Sequence, residues 1–155
     1  MITAKLGDIT KMPAQAIVNS ANPSLLAGGG VCGAIHQAAG PQLELACRAI
    51  DSIKPGKAVI TNAFELPAVY VIHAVGPRYM DGNRGEAAVL AQTYRSICQL
   101  VEEHGITSIS IPSIDNDFAA GEARIRCRPT NMERPGRVDV EPHTRTPQVP
   151  KRRLD

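Results

Sequence analysis

A glycine-rich turn between a short apolar strand and a helix constrains this chain more than any other feature. Residues 16–36 read AIVNSANPSLLAGGGVCGAIH, so an apolar run ends in asparagines and three successive glycines precede a helical pattern. Glycines let a main chain pass close to an anion, and the free amides at a helix start point at it while the helix dipole favours its charge. Asparagine carboxamides nearby both donate to and accept from hydroxyl groups. This order predicts a pocket for a phosphorylated sugar.

The composition indicates one α/β domain in a reducing compartment. With 155 residues and no Trp, the interior must be built from Val, Ile, Leu and Ala. The formal net charge of +2 is too small to imply a nucleic-acid or membrane partner. The four cysteines lie far apart without a C-x-x-C pair, which indicates neither a disulfide framework nor a structural zinc site. No leader or membrane-length apolar run is present, so we expect a cytoplasmic protein.

Hydrophobic periodicity predicts a sheet with helices on both faces. The expected order is two strands, two helices, two strands, a helix and a strand. Asn83 as N-cap and Glu86 three positions later predict a capping box for the third helix. The located elements are strands at 16–19, 57–62, 68–75 and 108–111, and helices at 30–39, from residue 41, and from Asn83 to about His104.

Four motifs in order give the chain a family resemblance. They are GDITK at 7–11, AIVNSAN at 16–22, GGGVCGAIH at 28–36 and VIHAVGP at 71–77. Together they resemble a macrodomain, most of all the MacroD-type branch, over about residues 1–114. The resemblance implies a three-layer α/β/α sandwich that binds ADP-ribose. In many members of the family it also implies hydrolysis of ADP-ribosyl esters or of O-acetyl-ADP-ribose.

The resemblance implies a role for each residue of the site. Asp8 would accept a hydrogen bond from the adenine amino group, and Ile9 would make a neighbouring main-chain contact. Asn22 would orient the distal ribose, which carries the scissile bond in the enzymes of the family. The residues implied for the diphosphate are Gly28, Gly29, Gly30, Val31, Cys32 and Gly33.

Simpler structural interpretations compete with several of these roles. Asp8 could merely cap Thr10 and Lys11, and an asparagine after a strand most often belongs to an Asx turn. Asn19 is interpreted as structural. His36 and His73 are interpreted as packed histidines, because two ligands do not make a zinc site and the sequence shows no third.

Cys32 departs from the pattern of the hydrolytic relatives. Many of them have an aspartate here, thought to orient or activate the attacking water. A thiol with an ordinary pKa is mostly protonated at neutral pH and cannot replace a carboxylate base. Some viral macrodomains that remove ADP-ribose also resemble this chain in having cysteine here. Asn22 and Cys32 therefore remain the catalytic candidates, beside the alternative that Cys32 only packs under the phosphate loop.

The glycines also spell G-x-G-x-x-G, the fingerprint of a dinucleotide-binding fold. The first glycine lies nine residues beyond Asn19, and a second helix follows the first where a strand would be required. A nicotinamide-dependent oxidoreductase is therefore a remote alternative.

The residue composition and the hydrophobic pattern change after residue 114. Residues 113–119 read SIDNDFA, where relatives usually have a Ser-Thr-Gly loop, and the remainder is rich in Arg and Pro. We interpret 115–155 as a divergent, poorly ordered tail that leaves the sandwich incomplete at its C-terminus. A shifted reading frame is one hypothesis for its origin. An RNA-binding tail is a weaker alternative, because no aromatic residues alternate with the arginines.

Three functions follow from these observations. The first is hydrolysis of ADP-ribosyl esters, the second is binding of ADP-ribose without turnover, and the third is an inactive, defective domain. The expected partner is ADP-ribose or an ADP-ribosylated protein. We expect a monomer that needs no cofactor and no metal, and that contacts neither membrane nor nucleic acid.

Overall fold

The computed structural model describes residues 2–114 and, beyond them, only the backbone of two short strands. A 3-10 turn, Ile9–Lys11, comes first along the chain. The strands are β1 (Ala16–Ser20), β2 (Ala58–Asn62), β3 (Tyr70–Ala74), β4 (Ile109–Ser110), β5 (Ile125–Arg126) and β6 (Asp139–Val140), and the helices are α1 (Gly30–Ala39), α2 (Pro41–Ile50) and α3 (Glu86–Glu103).

The main sheet has the strand order β2-β3-β1-β4. β1 pairs in parallel with both β3 and β4, whereas β2 runs antiparallel to β3. The register places Asn19 of β1 beside His73 of β3. Because β1, β3 and β4 are parallel, the loops that follow them leave from the same edge of the sheet.

Both faces of the sheet are buried, as alternation along the strands requires. Ile17 and Val71 lie in a cluster with residues of α1 and α2, whereas Val18 and Ile72 pack with residues of α3. Complete burial of one such side chain contributes about 1.5–3 kcal/mol. The predicted α/β fold, with one helical layer on each side of the sheet, is therefore confirmed.

Gly40 joins α1 to α2 as the sequence predicts. Its φ of 81° lies in the left-handed region, where glycine has no steric penalty, and its N–H donates to the carbonyl of His36 at 3.2 Å. Pro41 then begins α2, where its missing N–H costs no helical hydrogen bond.

Two local predictions were wrong. The structure has one strand before α1 where two were expected, since β1 is the only strand among residues 2–29. Asn83 does not cap α3: the N-cap is Gly85, with φ of 81° and no side-chain cap. The Asn83 N–H instead donates to Asp81 Oδ1 at 2.9 Å, because the loop before α3 is held by a different set of hydrogen bonds.

The predicted tail lies outside the described residues, apart from the backbone pairing of β5 with β6. That pairing is antiparallel, with Ile125 opposite Val140 and Arg126 opposite Asp139. Residues 115–119, which stand where relatives usually have the Ser-Thr-Gly loop, also lie outside the described part. Among the described residues, no helix is long and apolar enough to cross a membrane.

Candidate functional site

The candidate site lies at the edge where the parallel strands end. The N–H of Ala21, just beyond β1, donates to the carbonyl of Ala74 at the end of β3, at 2.9 Å. Gly76, just beyond β3, lies so close to Ile114 that a Cβ there would sit 3.2 Å from the Ile114 carbonyl oxygen. In open α/β sheets ligands bind beyond the carboxyl ends of the strands, so the predicted glycine loop lies where a ligand site is expected.

The first turn of α1 presents free backbone amides. Gly29 is the N-cap, and the first helical bond runs from the Gly33 N–H to the Gly29 carbonyl at 3.3 Å. The N–H groups of Gly30, Val31 and Cys32 therefore precede the hydrogen-bonded part of the helix. Such amides, together with the positive end of the helix dipole, make an anion site.

Among the described residues, no side chain obstructs this helix start. A Cβ placed on Gly29 or Gly30 would meet no heavy atom within 4 Å, so both positions face open space. Gly30 has φ of 57°, a left-handed conformation in which other residues are strained. Val31 is partly exposed beside them.

The loop ahead of α1 folds back onto the helix through two other glycines. A Cβ on Gly33 would overlap the carbonyl oxygen of Gly28, which is a contact with backbone that cannot move freely. A Cβ on Gly28 would lie 3.4 Å from Asn22 Nδ2. The glycines therefore serve two purposes: Gly33 allows close packing against the Gly28 carbonyl, while Gly29 and Gly30 leave the helix start open.

The Asn22 side chain makes two hydrogen bonds within the loop, and these use only part of its hydrogen-bonding capacity. Its Nδ2 donates to the carbonyl of Leu26 at 2.9 Å, and its Oδ1 accepts from the Ser24 hydroxyl at 2.6 Å. An asparagine amide has two donor hydrogens and two acceptor lone pairs. One donor and one acceptor of this half-buried side chain are left for a ligand hydroxyl.

The Cys32 thiol lies beneath the loop. The side chain is 6% exposed, and its Sγ donates to the carbonyl of Leu26 at 3.6 Å. Asn19 Nδ2 donates to the same sulfur at 3.7 Å from β1. Cys32 therefore offers its backbone amide to the open side of the helix start while its thiol packs inward.

Asp8 and Ile9 lie at the 3-10 turn, which contacts α1. Asp8 is the N-cap of that turn: its Oδ1 accepts from the Thr10 hydroxyl at 2.7 Å and the Thr10 N–H at 3.0 Å. These bonds, with Lys11 nearby, lower the pKa of the Asp8 carboxyl. Ile9 packs against the core cluster under α1. Asp8 is thus an exposed, oriented carboxylate near the helix that bears the glycine loop.

Sequence reasoning missed how Glu86 holds the loop after β3. Its Oε1 accepts from the N–H groups of Met80, Asp81 and Gly82 at 3.1, 3.3 and 3.2 Å, and its Oε2 accepts from that of Arg84 at 2.7 Å. Its own N–H together with these loop amides lowers the pKa of Glu86 to about 2, against the raising effect of burial. The carboxylate therefore orders the loop that follows the Gly76-Pro77 motif.

A signal for this arrangement was present in the sequence. Gly82 and Gly85 bracket the loop, and both have positive φ values, 79° and 81°. Two glycines within a polar run ahead of a helix indicate a turn whose amides point inward.

The two histidines predicted to be packed are buried. His73 is fully buried, with Nδ1 3.1 Å from Asn19 Nδ2 and Nε2 3.0 Å from the Thr61 hydroxyl. Burial, followed by the proximity of His36, lowers the pKa of His73 to about 4, so it is neutral at pH 7. Burial likewise lowers the pKa of His36 on α1, against the raising effect of the Glu44 carboxylate. Neither imidazole reaches the open side of the glycine loop.

Comparison with known proteins gives consistent matches over this region. The Macro domain family model matches residues 18–121. The O-acetyl-ADP-ribose deacetylase 1 of Pantoea vagans is 54% identical over 117 residues, a match that covers 73% of this chain and 68% of that relative.

Solved structures agree with the family match. The Oceanobacillus iheyensis macrodomain with ADP has a TM-score of 0.67 at 44% identity, and covers 70% of this chain and 61% of its own. A variant of that macrodomain with ADPR has a TM-score of 0.67 at 43% identity, and covers 70% of this chain and 62% of its own. The chain spans less than two thirds of these solved macrodomains. The family match covers residues 18–121, which include the end of β1, the glycine loop and helices α1, α2 and α3, so this chain belongs to the macrodomain family.

Proposed function

We propose that this chain binds ADP-ribose at the start of α1. The observation that supports this most is the side-chain-free helix start, where the amides of Gly30, Val31 and Cys32 precede the first helical hydrogen bond. The names of the relatives support the same ligand: one is an O-acetyl-ADP-ribose deacetylase, and one macrodomain was solved with ADP and with ADPR. The assignment to the MacroD-type branch and to the cytoplasm is part of this proposal.

The chemistry of the ligand fits the polar groups in order along the site. A diphosphate is a compact anion, and helix-start amides with the helix dipole stabilise it without needing a cationic side chain. The remaining donor and acceptor of Asn22 match a ribose diol, which presents one of each in close proximity. The Asp8 carboxylate, oriented by Thr10, is an acceptor for the exocyclic amine of adenine.

We propose further that the chain hydrolyses ADP-ribosyl esters on proteins or in O-acetyl-ADP-ribose. Water attacks C1 of the distal ribose and the C1–O bond to the carboxylate breaks, or water attacks the ester carbonyl and the acyl–oxygen bond to the ribose breaks. Either route releases a carboxylic acid and ADP-ribose, while Asn22 orients the sugar and the amides hold the phosphates. The buried Cys32 thiol makes hydrogen bonds with the Leu26 carbonyl and the Asn19 amide beneath the loop, and this is a poor position for a general base. In this mechanism water is oriented by the bound substrate's phosphate, and Cys32 contributes its amide.

A reader that binds without turnover is the second candidate, and Cys32 is the observation that favours it. The two are separated by experiment on the full chain. Calorimetry with ADP-ribose measures binding, and release of ADP-ribose from a mono-ADP-ribosylated protein or of acetate from O-acetyl-ADP-ribose measures turnover. Binding with release supports the hydrolase, binding without either release supports the reader, and absence of binding contradicts both.

The division of the chain at residue 114 is also a proposal. We infer a macrodomain in residues 1–114 and a divergent tail in 115–155, although the family match extends to residue 121. A shifted reading frame accounts for the loss of both the Ser-Thr-Gly loop and the apolar helix pattern. Translation of the other two frames beyond codon 114 tests this: a Ser-Thr-Gly loop followed by an amphipathic helix supports it, and their absence from both frames contradicts it.

A further inference from the structure

Three buried side chains from separate elements meet beneath α1 and α2. They are His36 of α1, Cys47 of α2 and His73 of β3, with exposed fractions of 7%, 0% and 0%. One potential ligand atom from each lies within 4.8 Å of the others. No sequence pattern indicated this cluster, because Cys47 and His73 are 26 positions apart and belong to different elements. From this cluster we propose that the chain binds a thiophilic d10 metal ion, Cu⁺ or Zn²⁺, between α1, α2 and the sheet.

The spacing of the cluster suits a single ion. Metal–sulfur and metal–nitrogen bonds of about 2.3 and 2.0–2.1 Å, at angles between tetrahedral and trigonal, place S and N about 3.5–3.8 Å apart. Cys47 Sγ lies 3.7 Å from His73 Nε2. His36 completes the set after a movement of about 1–1.5 Å, since the three ligand atoms lie within 4.8 Å of one another and two nitrogens bound to one such ion lie about 3.3–3.6 Å apart.

His36 supplies an independent reason to expect a ligand. Both of its ring nitrogens are buried, and neither makes a hydrogen bond of normal geometry among the described residues, although the main chain of Leu25 lies close enough to raise the pKa of the ring. A buried polar atom without a partner costs free energy, and it is uncommon in folded proteins. Coordination of a metal ion at one of these nitrogens would satisfy it.

Asn19 is placed to orient His73 in the metal-bound form. Its Oδ1 is another buried oxygen without a partner in the described part of the chain, and its Nδ2 lies 3.1 Å from His73 Nδ1. When His73 binds a metal through Nε2, its Nδ1 carries the proton and needs an acceptor. A half-turn of the Asn19 amide brings Oδ1 to that position. Thr61, which lies 3.0 Å from Nε2, has the Asn62 carbonyl as an alternative acceptor at 3.0 Å.

The donor set and the burial indicate the class of ion. One thiolate and two imidazoles suit Cu⁺ and Zn²⁺ rather than Mg²⁺ or Ca²⁺, which prefer oxygen ligands. Burial, with further contributions from Cys32 and Glu44, raises the pKa of the Cys47 thiol to about 11. Binding of an ion there therefore displaces the thiol proton. Cu⁺ with one thiolate gives a neutral buried centre, whereas Zn²⁺ leaves a charge of +1 and normally takes a fourth ligand.

The test measures metal binding by the full chain. Under reducing conditions, one equivalent of Cu⁺ should be withdrawn from its coloured complex with bicinchoninate, and in a parallel arm Zn²⁺ should be withdrawn from a chromogenic indicator. We expect a dissociation constant of about 1 pM or tighter for Cu⁺, which competition with bicinchoninate requires, or one tighter than about 1 μM for Zn²⁺. The arm that gives the tighter constant identifies the ion, and bound metal should raise the melting temperature.

Variants decide whether the cluster is responsible. Cys47→Ala and His36→Leu should each weaken binding by at least about 100-fold. His36→Leu loses no hydrogen bond of normal geometry within the described residues, so without metal it should melt close to the parent chain. Cys98→Ser is a control with a thiol removed from α3, outside the cluster, and it should bind as the parent does. Absence of binding in both arms, or binding that survives His36→Leu and Cys47→Ala, would overturn the proposal. ADP-ribose binding is not part of the test, so its outcome is independent of the function proposed above.

Discussion

The carbonyl oxygen of Gly28 lies against the Cα of Gly33, leaving no space for a side chain between the loop and the first turn of α1. This contact fixes the position of the glycine turn relative to the amides of the helix start. It also separates two kinds of glycine in one motif, those needed for packing and those needed to keep the site open.

Gly33→Ala should destabilise the protein although Ala is the better helix former. Ala gains about 1 kcal/mol in helix propensity, but the overlap with the Gly28 carbonyl forces a backbone shift that costs about 1–3 kcal/mol. We expect a net loss of up to about 2 kcal/mol in the free energy of unfolding, measured in urea, together with weaker ADP-ribose binding. Gly29→Ala is the matched control, since its Cβ meets no atom within 4 Å, and it should cost less than about 1 kcal/mol. Equal effects of the two substitutions would contradict the proposed packing.

Asn22→Ala should reduce turnover more than the loss of a hydrogen bond within the loop does. The substitution removes both the ribose contact and the bonds to Leu26 and Ser24, whereas Ser24→Ala removes only one bond within the loop. We expect kcat/KM for ester hydrolysis to fall at least about 10-fold further in Asn22→Ala than in Ser24→Ala, equivalent to about 1.4 kcal/mol of transition-state stabilisation. Equal kcat/KM values for Asn22→Ala and Ser24→Ala would show that Asn22 acts only by holding the loop.

Cys32→Ala should retain ADP-ribose affinity within about threefold, which is less than about 1 kcal/mol. The amide of residue 32 faces the helix start, while the thiol is packed toward Asn19 and Leu26. If hydrolysis is detected in the parent chain, its rate should likewise be kept. Loss of turnover with unchanged affinity and unchanged melting temperature would show that the thiol participates in the chemistry.

Glu86→Gln should destabilise the loop before α3 in a pH-dependent way. The folded-state pKa of Glu86 is lowered to about 2 from an ordinary value of 4.5, so its contribution to stability is complete above pH 4.5 and is lost as the pH falls through about 2. The melting temperature of the parent chain should exceed that of Glu86→Gln at pH 7, and the difference should shrink between these two pH values. The Asp81 and Arg84 side chains, which pair at 3.4 Å in the same loop, are unchanged in both proteins. A difference that does not vary with pH would contradict this account.

The sequence was sufficient to predict the layers of the fold and the position of the glycine turn. Alternating apolar residues such as Ile17 and Val18 place helices on both faces of the sheet, and Gly40 with Pro41 marks the junction of α1 and α2. Such features depend on neighbours along the chain, and this is the information that periodicity contains.

What the sequence could not provide depends on contacts between distant residues. The glutamate predicted for a capping box instead binds loop amides, because Gly85 adopts a left-handed conformation and shifts the helix start to Glu86. The distance between Cys47 and His73 is set by how α2 packs on β3, which no local pattern encodes. Likewise, only the packing of the loop shows that the Cys32 thiol points away from the helix-start amides.

The central claim is that the start of α1 holds the diphosphate of ADP-ribose, and calorimetry on Gly29→Glu tests it most directly. Gly29 has an ordinary φ of −83° and open space around it, so the variant should fold, but its carboxylate would stand beside the phosphates. Gln37→Glu adds the same charge at an exposed position on the same helix and is the control. Because like charges in close contact cost several kcal/mol, we predict that Gly29→Glu weakens ADP-ribose binding at least about 100-fold while Gln37→Glu binds as the parent does. Unchanged affinity in a folded Gly29→Glu variant would contradict the account.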